Sequence, residues 1–240
     1  LMGGEDPAQV VFTRNVTESI NLLLKGFLEP GDHVVVTSME HNAVMRPLTQ
    51  LTTKGITFSR AACSPQGDLD PSDIERLITP RTKLVLTTHA SNVCGTATPI
   101  REIAKVCRAH GVRFAIDAAQ SAGVLPIDAR AWGIDAVCFT GHKGLLGPQG
   151  IGGIMFTGDF SKEVSTLVAG GTGSSSDLES MPSFMPDKLE AGTPNLPGIV
   201  GLWAGIEWIN NNGIDAIREH ELALAGRLME GMAPLEEAGL

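Results

Sequence analysis

Three apolar stretches of the sequence each run directly into side chains that can do chemistry. The carboxylate Asp117 follows the stretch RFAI, and the amine of Lys143 stands in a GHKG segment after the stretch AVCF. The third stretch, VVF, leads into the start of a helix near Val16. Because ligands of open α/β sheets bind beyond the carboxyl ends of the strands, these three places are the first candidates for a site.

Together these places supply a carboxylate, an amine and a binding site for an anion. The helix that starts near Val16 offers free N–H groups and the positive end of its dipole to a phosphate, with the hydroxyl of Thr17 beside them. Thr140 and His142 add donors to the same phosphate. Pyridoxal phosphate needs this set, because a lysine amine forms an imine with its aldehyde and a carboxylate keeps its pyridine nitrogen protonated.

The surroundings of Lys143 set two further expectations. Gly141 and Gly144 would let the backbone pass close to the cofactor ring, because glycine has no side chain. To be nucleophilic near neutral pH, the lysine needs a pKa well below its ordinary value of roughly 10.4, which burial and neighbouring cations achieve.

The elements that position these residues alternate along the chain. Short apolar runs predict buried strands at residues 10–12, 34–36, 84–86, 114–116, 136–139 and 151–156, and apolar residues recur at helical spacing between them. Three pairs mark helix starts: Asn15 with Glu18 as a capping box, and Asp70 with Pro71 and Thr98 with Pro99 as N-cap and first helical residue. This alternation predicts an α/β fold with a mostly parallel sheet flanked by helices.

The pattern changes after Phe156. Residues 170–176 are rich in glycine and serine and residues 181–197 in proline, so we expect an irregular segment there. Helical periodicity returns at Ile199, stops at Gly213 and restarts at Ile217.

Composition narrows the classes of function. The chain has 240 residues with a net charge of -9, and its 18 basic residues are scattered, so we expect no nucleic-acid partner. We expect no membrane partner and no secretion, because the sequence has neither a membrane-spanning apolar run nor a signal pattern. The four cysteines match neither zinc nor disulfide spacing, which favours a cytoplasmic location.

Two other kinds of site are disfavoured. The histidines do not pair with cysteines or carboxylates at the spacing of metal ligands, so we expect no metal. Glycines between positions 147 and 153 mimic part of a dinucleotide fingerprint, but they precede a predicted strand instead of following one.

The candidate residues stand in strings that resemble, in order and content, the cysteine desulfurase group of class V aminotransferases. The strings are FTRNVTESINLL, SMEHNAVMRPL, THASNVCGT, DAAQSAG, FTGHKGLLGPQGIG, GGTGSSS and EAGTPN. The resemblance implies the large domain of a fold type I pyridoxal phosphate enzyme, without the family's N-terminal segment and C-terminal small domain. We assign residues 1–212 to this cofactor-binding domain and residues 213–240 to a helix that leads toward the small domain.

The same resemblance implies roles around the cofactor ring. Lys143 is the catalytic Schiff-base lysine, and Asp117 is the partner of the pyridine nitrogen. His41, also catalytic, stacks on one face of the ring, and Ala119 lies on the other. Each residue alone also has an ordinary structural explanation, since a histidine at a helix start is often a cap.

The resemblance places further residues at the edge of the cofactor. Gln120 and Asn92 lie near the ring hydroxyl, although Asn92 also suits a turn before Gly95. The phosphate is held by Val16, Thr17, Thr140 and His142. Thr172 reaches the phosphate of the neighbouring subunit, so the resemblance implies a homodimer with a shared site.

The implied reaction converts L-cysteine to L-alanine and leaves the sulfur as a persulfide on the protein, from which an acceptor protein can take it. In the family, the persulfide-forming cysteine and the arginine that binds the substrate carboxylate lie farther along the chain than any match here, so residues 1–240 alone are expected to be weakly active or inactive. The alternatives are another class V enzyme, such as a selenocysteine lyase, an aminotransferase or an epimerase, and a noncatalytic cofactor-binding fragment.

Overall fold

A computed structural model describes residues 1–237 of the chain, which form a sheet covered on both faces by helices. Within these residues the sheet has seven strands: β1 (Val10–Thr13), β2 (His33–Thr37), β3 (Thr57–Ala61), β4 (Thr82–Thr88), β5 (Arg113–Asp117), β6 (Ala136–Thr140) and β7 (Gly152–Phe156). The helices are α1 (Val16–Phe27), α2 (Asn42–Thr52), α3 (Pro71–Leu77), α4 (Ile100–His110), α5 (Ala129–Trp132), α6 (Phe160–Glu163), α7 (Leu196–Asn212) and α8 (Ile214–Glu237).

The strand order explains why the candidate residues meet. The order is β1-β7-β6-β5-β4-β2-β3, and only β7 runs against its neighbours. The carboxyl ends of β1, β6, β5, β4 and β2 therefore lie along one edge of the sheet. The predicted mostly parallel α/β fold is confirmed.

Two buried apolar clusters cover the two faces of the sheet. Alternate strand residues point to opposite faces, so Leu84 and Leu86 join one cluster with α1 and α2, while Val85 joins the other with α3, α4 and α7. Leu23 and Leu48 are fully buried against the first face and Ile103 against the second. Burial on both faces explains why the central strands are continuous apolar runs.

Strand β3 was not among the strands that the sequence predicts. It lies at the edge of the sheet, pairs only with β2, and its residues are exposed or half-buried apart from Ala61. Its sequence, TFSRA, therefore lacks the apolar run by which the other strands are recognised.

The helix caps agree with the sequence in part. Asn15 Oδ1 accepts the N–H of Glu18 at 3.1 Å as predicted, but Glu18 bonds the N–H of Arg14 at 2.7 Å and does not complete a capping box. Asp70 caps α3 as expected. The expectation for α4 was wrong, because Pro99 is the N-cap and Thr98 instead donates its hydroxyl to the Thr88 carbonyl at 2.7 Å.

The segment between α6 and α7 is irregular, as predicted, and α7 and α8 are separated at Gly213. Among the described helices, none combines the length and apolar character that a bilayer crossing requires. The structure does not test the assigned domain boundary, and residues 238–240 of its second part lie outside the described residues.

Candidate active site

The carboxyl edge of the sheet holds a cavity of about 270 Å³. Its walls come from the ends of β4, β5 and β6 and from the starts of α1 and α2. All predicted site residues except Thr172 line it: Val16, Thr17, His41, Asn92, Asp117, Ala119, Gln120, Thr140, His142 and Lys143. Three residues that the sequence did not single out as ligands, Asn15, Thr88 and Ala90, complete the lining.

Asp117 places a carboxyl group in the wall of this cavity. It ends β5, is only 3% exposed, and its Oδ1 accepts the N–H of Ala119 at 2.9 Å. Burial raises the pKa of the Asp117 carboxyl, opposed by the Ala119 N–H and by the nearby charges of His41 and Lys143. Because a buried carboxylate is stabilised by a cationic partner, a protonated ring nitrogen in the cavity suits this residue.

Lys143 reaches the same cavity from the loop after β6. The side chain is exposed and lines the cavity. The glycines around it do allow a close approach, but to other parts of the protein. A Cβ at Gly144 would lie 2.6 Å from the Ala122 carbonyl oxygen, and one at Gly141 would lie 2.7 Å from the Ile151 side chain. Close packing of the loops after β5 and β6 brings Lys143 and Asp117 to one cavity.

The phosphate side of the cavity is formed by the start of α1. The Asn15 side chain accepts the N–H of Glu18, and the Asn15 carbonyl accepts the N–H of Ser19. The N–H groups of Val16 and Thr17 take part in none of the hydrogen bonds described for this turn and face outward. Opposite them, the Thr140 hydroxyl and His142 Nδ1 lie 3.1 Å apart. Such donors at a helix N-terminus suit a phosphate group.

His41 has a structural role as well as a place in the cavity. It is the N-cap of α2, and its Nδ1 accepts the N–H of Ala43 at 3.0 Å. An accepting Nδ1 leaves the proton on Nε2 in the neutral ring. The rest of the ring is exposed and lines the cavity, so the cap and a stacking role are compatible.

The remaining predicted residues differ in how deeply they are buried. Ala119 is buried, Gln120 is half-buried and Asn92 is exposed. Thr172 lies outside the cavity, and its hydroxyl is 3.1 Å from that of Ser174. Its role across a subunit interface stays a prediction.

His89 and the two buried cysteines carry side chains that could do other chemistry. His89 lies behind Asp117, and its backbone N–H donates to the backbone carbonyl of Asp117 at 2.9 Å. Burial lowers the pKa of the His89 ring to about 4. Cys107 and Cys138 are buried, and burial raises the pKa of both thiols, that of Cys107 to about 12. Within the described residues, no group of three or more potential ligands is arranged to hold a metal ion.

The donor set fits pyridoxal phosphate. An amine, a buried carboxyl and outward-facing N–H groups at a helix start surround one cavity, and these are the groups that its aldehyde, ring nitrogen and phosphate require.

Comparisons with known proteins agree with this arrangement. A sequence model of the family described as Aminotransferase class-V matches residues 1–240. A probable cysteine desulfurase of Methanothermobacter thermautotrophicus is 37% identical over 224 residues, which cover 92% of this chain and 56% of that protein. The chain thus spans little more than half the length of this curated relative.

Solved structures are similar over the same extent. The apo structure of a cysteine desulfurase from Thermococcus onnurineus NA1 has a TM-score of 0.87 and 35% identity, covering 95% of this chain and 58% of that one. A mutant of C-DES with glycine covalently linked to its PLP cofactor has a TM-score of 0.78 and 27% identity, covering 89% of this chain and 59% of that one.

Proposed function

Because this chain belongs to the class-V aminotransferase family, we propose that it forms the cofactor-binding part of a pyridoxal phosphate-dependent cysteine desulfurase. The observation that carries the proposal is the meeting of Lys143, Asp117 and the start of α1 at one cavity. The substrate is proposed from the relatives, since the first of them is described as a probable cysteine desulfurase.

When bound, the cofactor supplies an electron-withdrawing ring that stabilises negative charge at the substrate Cα. Lys143 would hold the cofactor covalently and would take the proton from the substrate Cα. Asp117 would keep the ring nitrogen protonated, and His41 and Ala119 would lie against the two faces of the ring. Gln120 and Asn92 would contact the ring hydroxyl.

The phosphate is anchored by groups that are already in place. The outward-facing N–H groups of Val16 and Thr17, the Thr17 hydroxyl, and the donors of Thr140 and His142 converge on one side of the cavity. These donors would hold the phosphate in the same cavity that Lys143 lines.

The sulfur is transferred from L-cysteine to a protein thiolate that we place outside these residues. The thiolate would attack the substrate Sγ and the Cβ–Sγ bond would break. A proton added at Cβ and the return of the proton from Lys143 to Cα would then complete L-alanine. Cys107 and Cys138 are unsuited to this attack because burial raises the pKa of both thiols. The arginine that binds the substrate carboxylate is placed outside these residues as well.

We further propose a homodimer in which Thr172 contacts the phosphate bound by the other subunit. A separate protein then accepts the persulfide sulfur in the cytoplasm. The segment that carries Thr172 is anchored at its end, where Asn195 caps α7 and donates to the Gly150 carbonyl at 3.0 Å.

The proposed domain boundary is supported by the surface of α8. Its apolar side chains Leu222, Leu224, Leu228 and Met229 are at least half exposed, which suits a helix that packs against a further domain. Residues 1–212 are then the cofactor-binding domain, and residues 213–240 lead toward the small domain.

The experiment is to incubate the full-length protein with pyridoxal phosphate, L-cysteine and a reductant, and to measure alanine and sulfide. We expect both products in equal amounts, and neither from a Lys143→Ala variant. A pyruvate, keto-acid or D-amino-acid product would contradict the desulfurase and indicate another class V activity.

A Cys94→Ser variant is the matched control for the position of the thiolate. Cys94 is exposed, and hydrogen bonds with Ser91 and Thr96 lower the pKa of its thiol to about 7. The proposal predicts full activity for this variant, because the accepting thiolate lies elsewhere. Loss of activity would place the acceptor at Cys94.

A further inference from the structure

Glu40 joins the ends of two strands beneath the cavity. It lies in the loop between β2 and α2, and its Oε1 accepts the Thr37 hydroxyl at 2.7 Å, the Thr37 N–H at 3.3 Å and the Thr88 N–H at 3.0 Å. Thr37 and Thr88 are the last residues of the neighbouring parallel strands β2 and β4. One carboxyl oxygen therefore fixes the loop to both strands.

The other oxygen of Glu40 is buried without a partner among the described residues. Burial raises the pKa of Glu40 to about 8, opposed by the hydrogen bonds from Thr37 and Thr88 and reinforced by the nearby Asp117. An unpaired buried O–H costs less free energy than an unpaired buried carboxylate oxygen, so the geometry favours the protonated acid.

The neighbours of Glu40 are the parts of the site that face the cofactor ring. His41, the next residue, caps α2 and lines the cavity. Thr88 also lines the cavity and is paired in register with Asp117 on β5. The Glu40 carboxyl thus lies between the wall that carries His41 and the wall that carries Asp117.

We propose that Glu40 is a positioning residue: its uncharged carboxyl holds His41 against the bound cofactor, and Asp117 alone of these two acids carries the negative charge that faces the ring. The inference rests on the proposed function, since it supposes pyridoxal phosphate in the cavity. An ionised Glu40 would place a second negative charge beside Asp117 and weaken its selectivity for a protonated ring nitrogen.

The test compares Glu40→Gln and Glu40→Ala in the full-length protein loaded with pyridoxal phosphate. Glutamine keeps the accepting oxygen and the neutral charge, whereas alanine removes the link between the strands. The readouts are the visible circular dichroism of the cofactor band, which reports how the ring is held, and the dissociation constant of the cofactor.

We expect Glu40→Gln to match the wild type in both readouts from pH 6 to 7.5. Glu40→Ala should lose most of the circular dichroism signal and bind the cofactor about tenfold more weakly. Thr37→Val removes only the hydroxyl that donates to Glu40, so it should show the same loss to a smaller extent. It replaces the alanine variant in the test if that variant does not fold.

Ile56→Val is the control for general loosening of α2. Ile56 is buried just beyond the carboxyl end of that helix, donates its N–H to the Leu51 carbonyl and forms no hydrogen bond with Glu40. It should lower the unfolding temperature slightly and leave both cofactor readouts unchanged. A matching loss in Ile56→Val would overturn the specific role of Glu40.

Two other results would also overturn the inference. Wild-type signals in both Glu40→Ala and Thr37→Val would remove the positioning role, and a Glu40→Gln protein that behaves like Glu40→Ala would show that the acid acts in its ionised form. Failure of the wild type to form a cofactor band would instead contradict the proposed function, so the two failures are distinguishable.

Discussion

At the amino-terminal edge of the parallel strands Arg113 is paired with carboxylates, whereas at the carboxyl-terminal edge Asp117 and Lys143 line a cavity without such pairs in the described part of the chain. Arg113, which begins β5, pairs with Asp135 at 2.7 Å and also with Glu163. At the other edge, neither Asp117 nor Lys143 forms an ion pair with a side chain of residues 1–234.

The larger of the two cavities is not the one that forms the candidate site. The cavity beside Arg113 measures about 620 Å³, more than twice the 270 Å³ of the cavity beside Asp117. The smaller cavity has a buried carboxyl, an unpaired lysine and a helix start directed into it. A buried carboxyl and an amine without ion pairs, together with a helix start, therefore identify the candidate site better than cavity volume does.

Replacing Asp117 with asparagine gives the largest expected effect. Asparagine can still accept the Ala119 N–H but has no charge for the ring nitrogen, so the rate of alanine formation should fall about 100-fold or more. Cofactor attachment at Lys143 should persist. Steady-state kinetics of the full-length protein check this, and an unchanged rate would remove Asp117 from the chemistry.

Glu40→Gln should change how stability depends on pH. The pKa of Glu40 rises from an ordinary 4.5 to about 8 on folding. The folded state therefore binds more protons than the unfolded state between these values, and the wild type loses stability as the pH rises through this window. Glutamine does not titrate, so the variant should gain stability relative to the wild type on going from pH 5 to pH 8.

Chemical denaturation at pH 5 and pH 8 measures this difference. Asp117 is the acid that faces Glu40, and it is present in both proteins, so its own titration largely cancels in the comparison. Parallel stability profiles for the two proteins would mean that Glu40 is ionised in the folded state.

Thr140→Val tests the phosphate side of the cavity. Thr140 is buried, and its hydroxyl is one of the few donors available there. Loss of one hydrogen bond to a charged phosphate should weaken cofactor binding about tenfold. The turnover number at saturating cofactor should change little, and equilibrium binding of the cofactor separates the two effects.

Asp135→Asn gives the smallest effect and is the counterpart at the amino edge. The pair with Arg113 is partly exposed, so its loss should reduce the free energy of unfolding by about 1 kcal/mol or less. Desulfurase turnover should remain at the wild-type level. A large loss of turnover would mean that the two edges are coupled and that the comparison is too simple.

The sequence predicted the scaffold well because the central strands carry their own signal. Six of the seven strands that the structure describes contain apolar runs, and most of their residues are buried, although β1 alternates half-buried and buried residues. β3 could not be found in this way, because an exposed edge strand is defined by its hydrogen bonds to β2 and not by its side chains.

The sequence predicted which residues line the site, but not how exposed or how closely packed each of them is. Lys143 is exposed and Gly144 packs against backbone, and neither follows from residue type. Glu40 was overlooked because a glutamate is ordinarily a surface residue, and its burial depends on Thr88, which is 48 residues away in the sequence. Contacts of this range leave no local pattern.

The most direct test of the account is the position at which the cofactor is attached. The full-length protein is incubated with pyridoxal phosphate, reduced with borohydride, digested, and analysed by peptide mapping. The account predicts a visible absorption band that reduction converts into a label on Lys143. A label on another lysine, or a band that survives in Lys143→Ala, would contradict it.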